Sequence, residues 1–162
     1  MRRVHLIGHS GHGKTTLAVA LIAHWTVAGL CVGSIKHTGH VHELDAPGKD
    51  SWRHRQAGAH PAAIIAGDRL ALHLPLHVAD NPYALLTAHY AGCDLVLVEG
   101  DVGTTAPQIE VWRDGLGVPP LAATRAGIRA IITDDRTGLP LAHWPRQDVP
   151  RLAAQILELA GA

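Results

Sequence analysis

Between residues 4 and 28 the chain sets three patterns in a fixed order, and that order limits what it can become. Val4-His5-Leu6-Ile7 is a short β-prone run. Gly8-His9-Ser10-Gly11-His12-Gly13-Lys14-Thr15 follows and fits G-x-x-x-x-G-K-[ST], the spacing of a phosphate-cradling loop. From residue 16 to 28 the pattern turns helical, with Leu17, Leu21, Trp25 and Ala28 on one face and Gly29 as the stop. The residue types suit a polyphosphate, whose charges must be met without bulky side chains in the way. Gly8, Gly11 and Gly13 let the backbone wrap closely and turn its N–H groups inward, with Ser10, His12 and Thr16 in the same cradle. Lys14 brings a compact cation to the β/γ-phosphates, and the Thr15 hydroxyl is a natural Mg²⁺ ligand. The positive end of the following helix adds to both. The chain is expected to bind a nucleotide.

Length and composition bound the rest. The 162 residues are expected to form one domain, without repeats or an interdomain linker. Formal net charge is zero, so no basic field is expected to hold nucleic acid or an acidic membrane. Too few residues precede Gly8 for a signal-peptide core, and no apolar run approaches the roughly 20 residues of a span. A soluble, cytoplasmic protein is expected. Cys31 and Cys93 each open an apolar run and read as small buried hydrophobes in a reducing cytosol, not as a disulfide framework or a metal knuckle. All three lysines, Lys14, Lys36 and Lys49, fall in the first third of the chain, which suggests cations drawn to one phosphate site.

Further along, residues 31–36 read as a strand, followed by a long loop and a short helix over 52–57. In that loop Asp45 is placed to serve as a Mg²⁺-directed carboxylate, and Gly48-Lys49 precedes a helix start that could face an anion. His37, His40 and His42 invite a metal reading, but their spacing fits no closed zinc pattern. Residues 62–66 and 70–74 read as a hairpin, and Asn81-Pro82 as the cap and first turn of a helix. Asp94-Leu95-Val96-Leu97-Val98-Glu99-Gly100 reads as a strand buried on both faces, with Glu99 at its carboxyl end to hold Mg²⁺ or polarise an attacking water. Residues 108–112 are another strand and 129–133 the last, ending at Asp134. Guanine offers two adjacent donors that one carboxylate accepts in parallel, which makes Asp134 the candidate base reader. Asp148 caps a closing helix with Leu152, Ile156 and Leu159 inward.

These motifs together resemble the molybdopterin-guanine dinucleotide biosynthesis adaptor (MobB) family, in the SIMIBI branch of P-loop NTPases. The resemblance rests on His9 to Leu17, on Ile35-Lys36-His37, and above all on the block from Asp45 to Ala59. It continues through Leu95 to Gly100 and Pro107-Gln108-Ile109-Glu110-Val111. It implies an α/β, three-layer P-loop NTPase fold with a mostly parallel central sheet and an antiparallel hairpin. It also implies a homodimer that binds GTP and Mg²⁺, hydrolyses GTP feebly, and assists the guanylyltransferase that joins GMP to molybdopterin. The pterin itself is a further implied ligand. Carried over as phosphate and magnesium positions are Gly11, Gly13, Lys14, Thr15, Asp45 and Glu99, with Lys36 and Lys49 as further anion contacts. Lys14 and Glu99 would carry the hydrolysis, and Arg53 and Arg55 are candidates to assist it. The chain departs from the family at Asp101-Val102, where Phe-Lys is usual, and at Gln108, where Lys is favoured, which removes two positive charges beside the site. Two other classes fit a P-loop chain of this size: a metal-insertion GTPase of the nickel-chaperone type, and a small-molecule kinase.

Overall fold

The computed structural model describes residues 1–77 and 80–161. In chain order the elements are β1 (Arg3–Ile7), α1 (Lys14–Val27), β2 (Val32–Lys36), α2 (Asp50–Gln56), β3 (Ala62–Ala66), β4 (Arg69–His73) and α3 (Pro82–Leu86). They continue with β5 (Leu95–Glu99), β6 (Gln108–Val111), β7 (Ile128–Ile132), β8 (Ala142–Trp144) and α4 (Val149–Gly161). The chain forms two compact units, one made of Met1–Gly39 with the chain from Thr87 onward, the other of His40–Leu86.

The first unit is built on a sheet ordered β2-β5-β1-β6-β7-β8, in which every pair is parallel. Its central strands are apolar on both faces, as a parallel sheet covered by helices requires. Val4, Leu6 and Ile7 of β1, and all of Leu95 to Val98 in β5, are buried. Helix α1 lays Leu17, Leu21 and Trp25 on this sheet, while Ala28, expected on the same face, is exposed and caps the helix end. Helix α4 packs beside α1 through Leu152, Ala153 and Ile156, and Trp25 Nε1 donates to the Ala153 carbonyl at 3.3 Å. Asp148 caps α4 by accepting the Arg151 N–H at 3.1 Å.

Two further expectations need correction. The strand at β7 is not the last, because Ala142–Trp144 adds β8 at the edge. Three residues with Pro145 directly after them give too little pattern to be read as a strand; pairing with β7 makes them one. Nor are the cysteines buried hydrophobes: Cys31 is exposed and Cys93 half-buried, because both lie just outside the strands they lead into.

The second unit holds α2, the antiparallel β3–β4 hairpin and α3. The hairpin turns at Gly67-Asp68, with Ala66 opposite Arg69. Asn81 caps α3, its Oδ1 accepting the Tyr83 N–H at 3.1 Å, and Pro82 opens the helix as expected. On one hairpin face Ala63 and Ile65 lie opposite Leu72 and Leu70, and Ile65 and Leu70 are 77% and 61% exposed.

Candidate functional site

β1 has its two neighbours, β5 and β6, on opposite sides, and the chain leaves its carboxyl end through the Gly8–Gly13 loop into α1. Open α/β sheets bind ligands at such a divergence of connections, beyond the carboxyl ends of the strands. Glycine is required here by the backbone. Gly8 has φ 139° and a side chain on it would strike the Val111 carbonyl of the neighbouring strand. Gly13 has φ 84°, a left-handed conformation at the entrance to α1.

Ser10, Gly11, Gly13, Lys14, Thr15, Thr16, Lys36 and Glu99 line one cavity of about 310 Å³. The loop gathers these groups from β1 and α1, while β2 and β5 end beside it and deliver Lys36 and Glu99, which lie opposite each other in register. Glu99 Oε1 accepts from Thr15 Oγ1 at 2.8 Å and from Lys36 Nζ, a close ion pair. Glu99 itself is only 8% exposed. Burial pulls its pKa upward, but hydrogen bonds from Lys36 and Thr15 and the charges of Lys36 and Lys14 outweigh it and hold the carboxyl below its ordinary range. Lys14 donates from Nζ to the His9 carbonyl at 2.7 Å, and burial lowers its pKa against the pull of Glu99. The Thr15 hydroxyl and Glu99 carboxylate are adjacent hard oxygen donors, the set that Mg²⁺ prefers.

His12 differs from the other loop residues. Its side chain is fully buried, its Nδ1 accepts the Arg113 N–H at 2.9 Å, and its Nε2 has no partner. Accepting at Nδ1 places the ring proton on Nε2. Burial, and then the charges of His9, Lys14, Arg113 and Arg146, lower its pKa and keep it neutral. Its imidazole therefore ties the loop to the exit of β6 and does not line the cavity.

Arg113 and Arg146 belong to no motif in the sequence. Arg146 Nη1 donates to the His12 carbonyl at 3.0 Å. A Cβ placed on Gly13 would lie 2.7 Å from Arg146 Nη2 and 3.1 Å from Arg113 Nη2. Two guanidiniums therefore stand against the loop, one following β6 and one following β8. Position after a strand is their one sequence signal, and β8 is too short to carry a strand pattern of its own. Asp134 lies on the same side, where its Oδ1 accepts the Arg146 N–H at 2.9 Å and it lines a separate cavity with Thr133, Asp135 and Arg136. One of its two oxygens is thus already engaged by the backbone.

Gln108, where the family favours lysine, is buried and donates from Nε2 to the Thr104 carbonyl at 2.8 Å. It pins the 102–104 loop and does not line the loop cavity. Asp101 adopts φ 61° and sets Oδ2 4.0 Å from Nδ1 of both His5 and His37.

In the second unit Asp45 Oδ1 accepts from Ser51 Oγ at 3.0 Å, and its Oδ2 lies 3.7 Å from both Arg55 Nη1 and His73 Nε2. Arg55 also donates to Glu43 at 2.9 Å, and that hydrogen bond is the chief reason the Glu43 pKa is pulled down to about 2. Arg55 is therefore bound to carboxylates of its own unit. Lys49 is exposed at the start of α2. His40 and His42 meet edge to face with centroids 6.0 Å apart, and among the described residues no three His, Cys, Asp or Glu side chains cluster closely enough to hold a metal ion.

A family model described as Molybdopterin guanine dinucleotide synthesis protein B (MobB) matches residues 3–134. The chain is 35% identical over 154 residues to the molybdopterin-guanine dinucleotide biosynthesis adapter protein of Escherichia coli K12, covering 92% of this chain and 87% of that one. It is 31% identical over 152 residues to the adapter protein of the same name from Haemophilus influenzae, covering 87% and 82%. Among solved structures, MobB of Bacillus subtilis superposes with a TM-score of 0.71 at 25% identity, over 97% of this chain and 96% of that one. A structure titled molybdopterin-guanine biosynthesis protein B superposes at 0.74 with 24% identity over 99% of both chains.

Proposed function

The chain belongs to the MobB family, and from that premise we propose that it is an adapter of molybdopterin-guanine dinucleotide biosynthesis that works by holding GTP. The nucleotide's phosphates lie in the 10–16 loop, with Lys14 against the β/γ-phosphates. Lys36 supplies further positive charge. Thr15 and Glu99 would hold Mg²⁺, which when bound would neutralise phosphate charge and so ease attack by water. Lys14 and Glu99 have the catalytic roles, and turnover is slow because the site binds phosphate well but presents no strong general base. Asp134 reads the guanine edge with both carboxylate oxygens, Oδ1 accepting there as well as from the Arg146 N–H. The convergence of Lys14, Thr15, Lys36 and Glu99 on one cavity is the observation that carries this reading.

Family membership supports the rest of the reading. The partner is the guanylyltransferase that joins GMP to molybdopterin, and the adapter acts in the cytoplasm as one functional domain. No helix among the described residues is long and apolar enough to cross a membrane. A homodimer is favoured by the bare apolar face of the hairpin, where Ile65, Leu70 and Leu72 meet solvent. Molybdopterin has a suitable place in the second unit, where a cavity of about 340 Å³ sets His42, His60, His73 and Arg55 around leucines. That lining suits a flat ring carrying an anionic group.

Competition between GTP and ATP in the presence of Mg²⁺, on the wild type and on Asp134→Ala, tests the nucleotide assignment. GTP preference in the wild type and its loss in the variant are expected. Equal affinities in the wild type would remove the basis for GTP.

A further inference from the structure

Strands β2 and β5 are parallel neighbours, so the residues leading into them lie side by side at the end of the sheet away from the phosphate-binding loop. Cys31 stands directly before β2 and Cys93 two residues before β5. Both are held by their backbones. Cys31 donates its N–H to the Asp94 carboxylate and accepts the Asp94 N–H, each at 2.8 Å. Cys93 donates its N–H to the Tyr90 carbonyl at 3.1 Å, and Tyr90 is in turn fastened to β2 by its hydroxyl, which donates to the Ser34 carbonyl at 2.9 Å. The Tyr90 ring lies so close over Gly33 that a side chain there would overlap it. Between these anchors the two Sγ atoms stand 3.8 Å apart, both as free thiols. A bond of about 2.05 Å requires the two Sγ atoms to approach by less than about 2 Å.

We propose that Cys31 and Cys93 are a thiol–disulfide modification site, converted by a small-molecule disulfide such as oxidised glutathione into an intrachain bond that fastens β2 to β5. Cys31 is the exposed member and reacts first. Its thiolate attacks one sulfur of oxidised glutathione, the S–S bond of the reagent breaks, and a glutathione thiolate leaves and takes a proton. Cys93 then gives its proton to solvent and attacks Cys31 Sγ, expelling the second glutathione. The protein loses two electrons and two protons, and one glutathione disulfide becomes two glutathione thiols. Burial, with the hydrogen bond and charge of Cys31 and the charge of Asp94, pushes the Cys93 thiol upward. The second step therefore depends on proximity, which the backbone anchors supply. The ring so closed runs through the whole second unit.

The test uses the full reduced chain, treated with excess oxidised glutathione and then alkylated. Expected for the wild type is loss of both titratable thiols without a retained glutathione, a cross-linked peptide joining Cys31 to Cys93, and return of both thiols on reduction. Cys93→Ser should stop at a glutathione adduct on Cys31. A wild type that keeps its thiols, carries glutathione on each cysteine, or forms disulfides only between chains would overturn the proposal.

Discussion

Replacing Gly13 with alanine probes how the phosphate-binding loop is held. Gly13 sits at φ 84°, where an L-residue costs about 1–2 kcal/mol. The added methyl would also lie 2.7 Å from Arg146 Nη2 and displace that guanidinium. Its Nη1 hydrogen bond to the His12 carbonyl, 3.0 Å long, would then be lost. Charge-assisted bonds contribute about 1.5–3 kcal/mol, and Arg146 is only half-buried, so the low end, about 1.5, applies. Gly13→Ala should therefore cost about 3 kcal/mol, lowering Tm by about 6–12 °C for a chain of this size. Arg146→Ala alone should cost about 1.5 kcal/mol. In the double variant the hydrogen bond can be lost only once, so it should be no less stable than Gly13→Ala, a coupling of about 1.5 kcal/mol. Denaturant unfolding followed by circular dichroism reads all three. If the two single losses simply add, the added methyl leaves the Arg146–His12 hydrogen bond in place and the reasoning fails.

Two further predictions follow from the same geometry. His5 and His12 are fully buried and their pKa values lie below 6.5, chiefly through burial, so on acidification the unfolded chain takes up protons that the native chain does not. Stability is then flat above about pH 6.5 and falls as pH drops from there toward the native values; His5→Asn should show a smaller Tm loss between pH 7.5 and 5 than the wild type, and an equal loss would count against a buried neutral His5. Glu99→Gln removes the carboxylate that faces both Thr15 and Lys36, and should weaken Mg²⁺-dependent nucleotide binding by about tenfold or more while leaving Mg²⁺-free binding within a few fold, read by titration with and without chelator.

The loop and its flanking elements were legible because their signal is local. Glycines at fixed spacing, a lysine and a threonine define the cradle, and α1 announces itself by the recurrence of Leu17, Leu21 and Trp25. Glu99 was legible because a run with no polar interruption marks a strand covered on both faces, and a carboxylate at its end lies where ligands bind. The hairpin and the Asn81 cap were equally local, being written in turn and cap residues.

Strand order, by contrast, is settled by which apolar faces pack together, and no short stretch of sequence states it. It alone brings Arg113 and Arg146 to Gly13, since one follows β6 and the other an edge strand three residues long. It turns the His12 side chain into the interior, although its place in the motif reads like that of its neighbours. It also sets Cys31 beside Cys93 across more than sixty residues of chain, because β2 and β5 are adjacent in space and far apart in sequence. Local chemistry named the groups that meet phosphate; burial of the sheet's two faces decided which groups stand behind them.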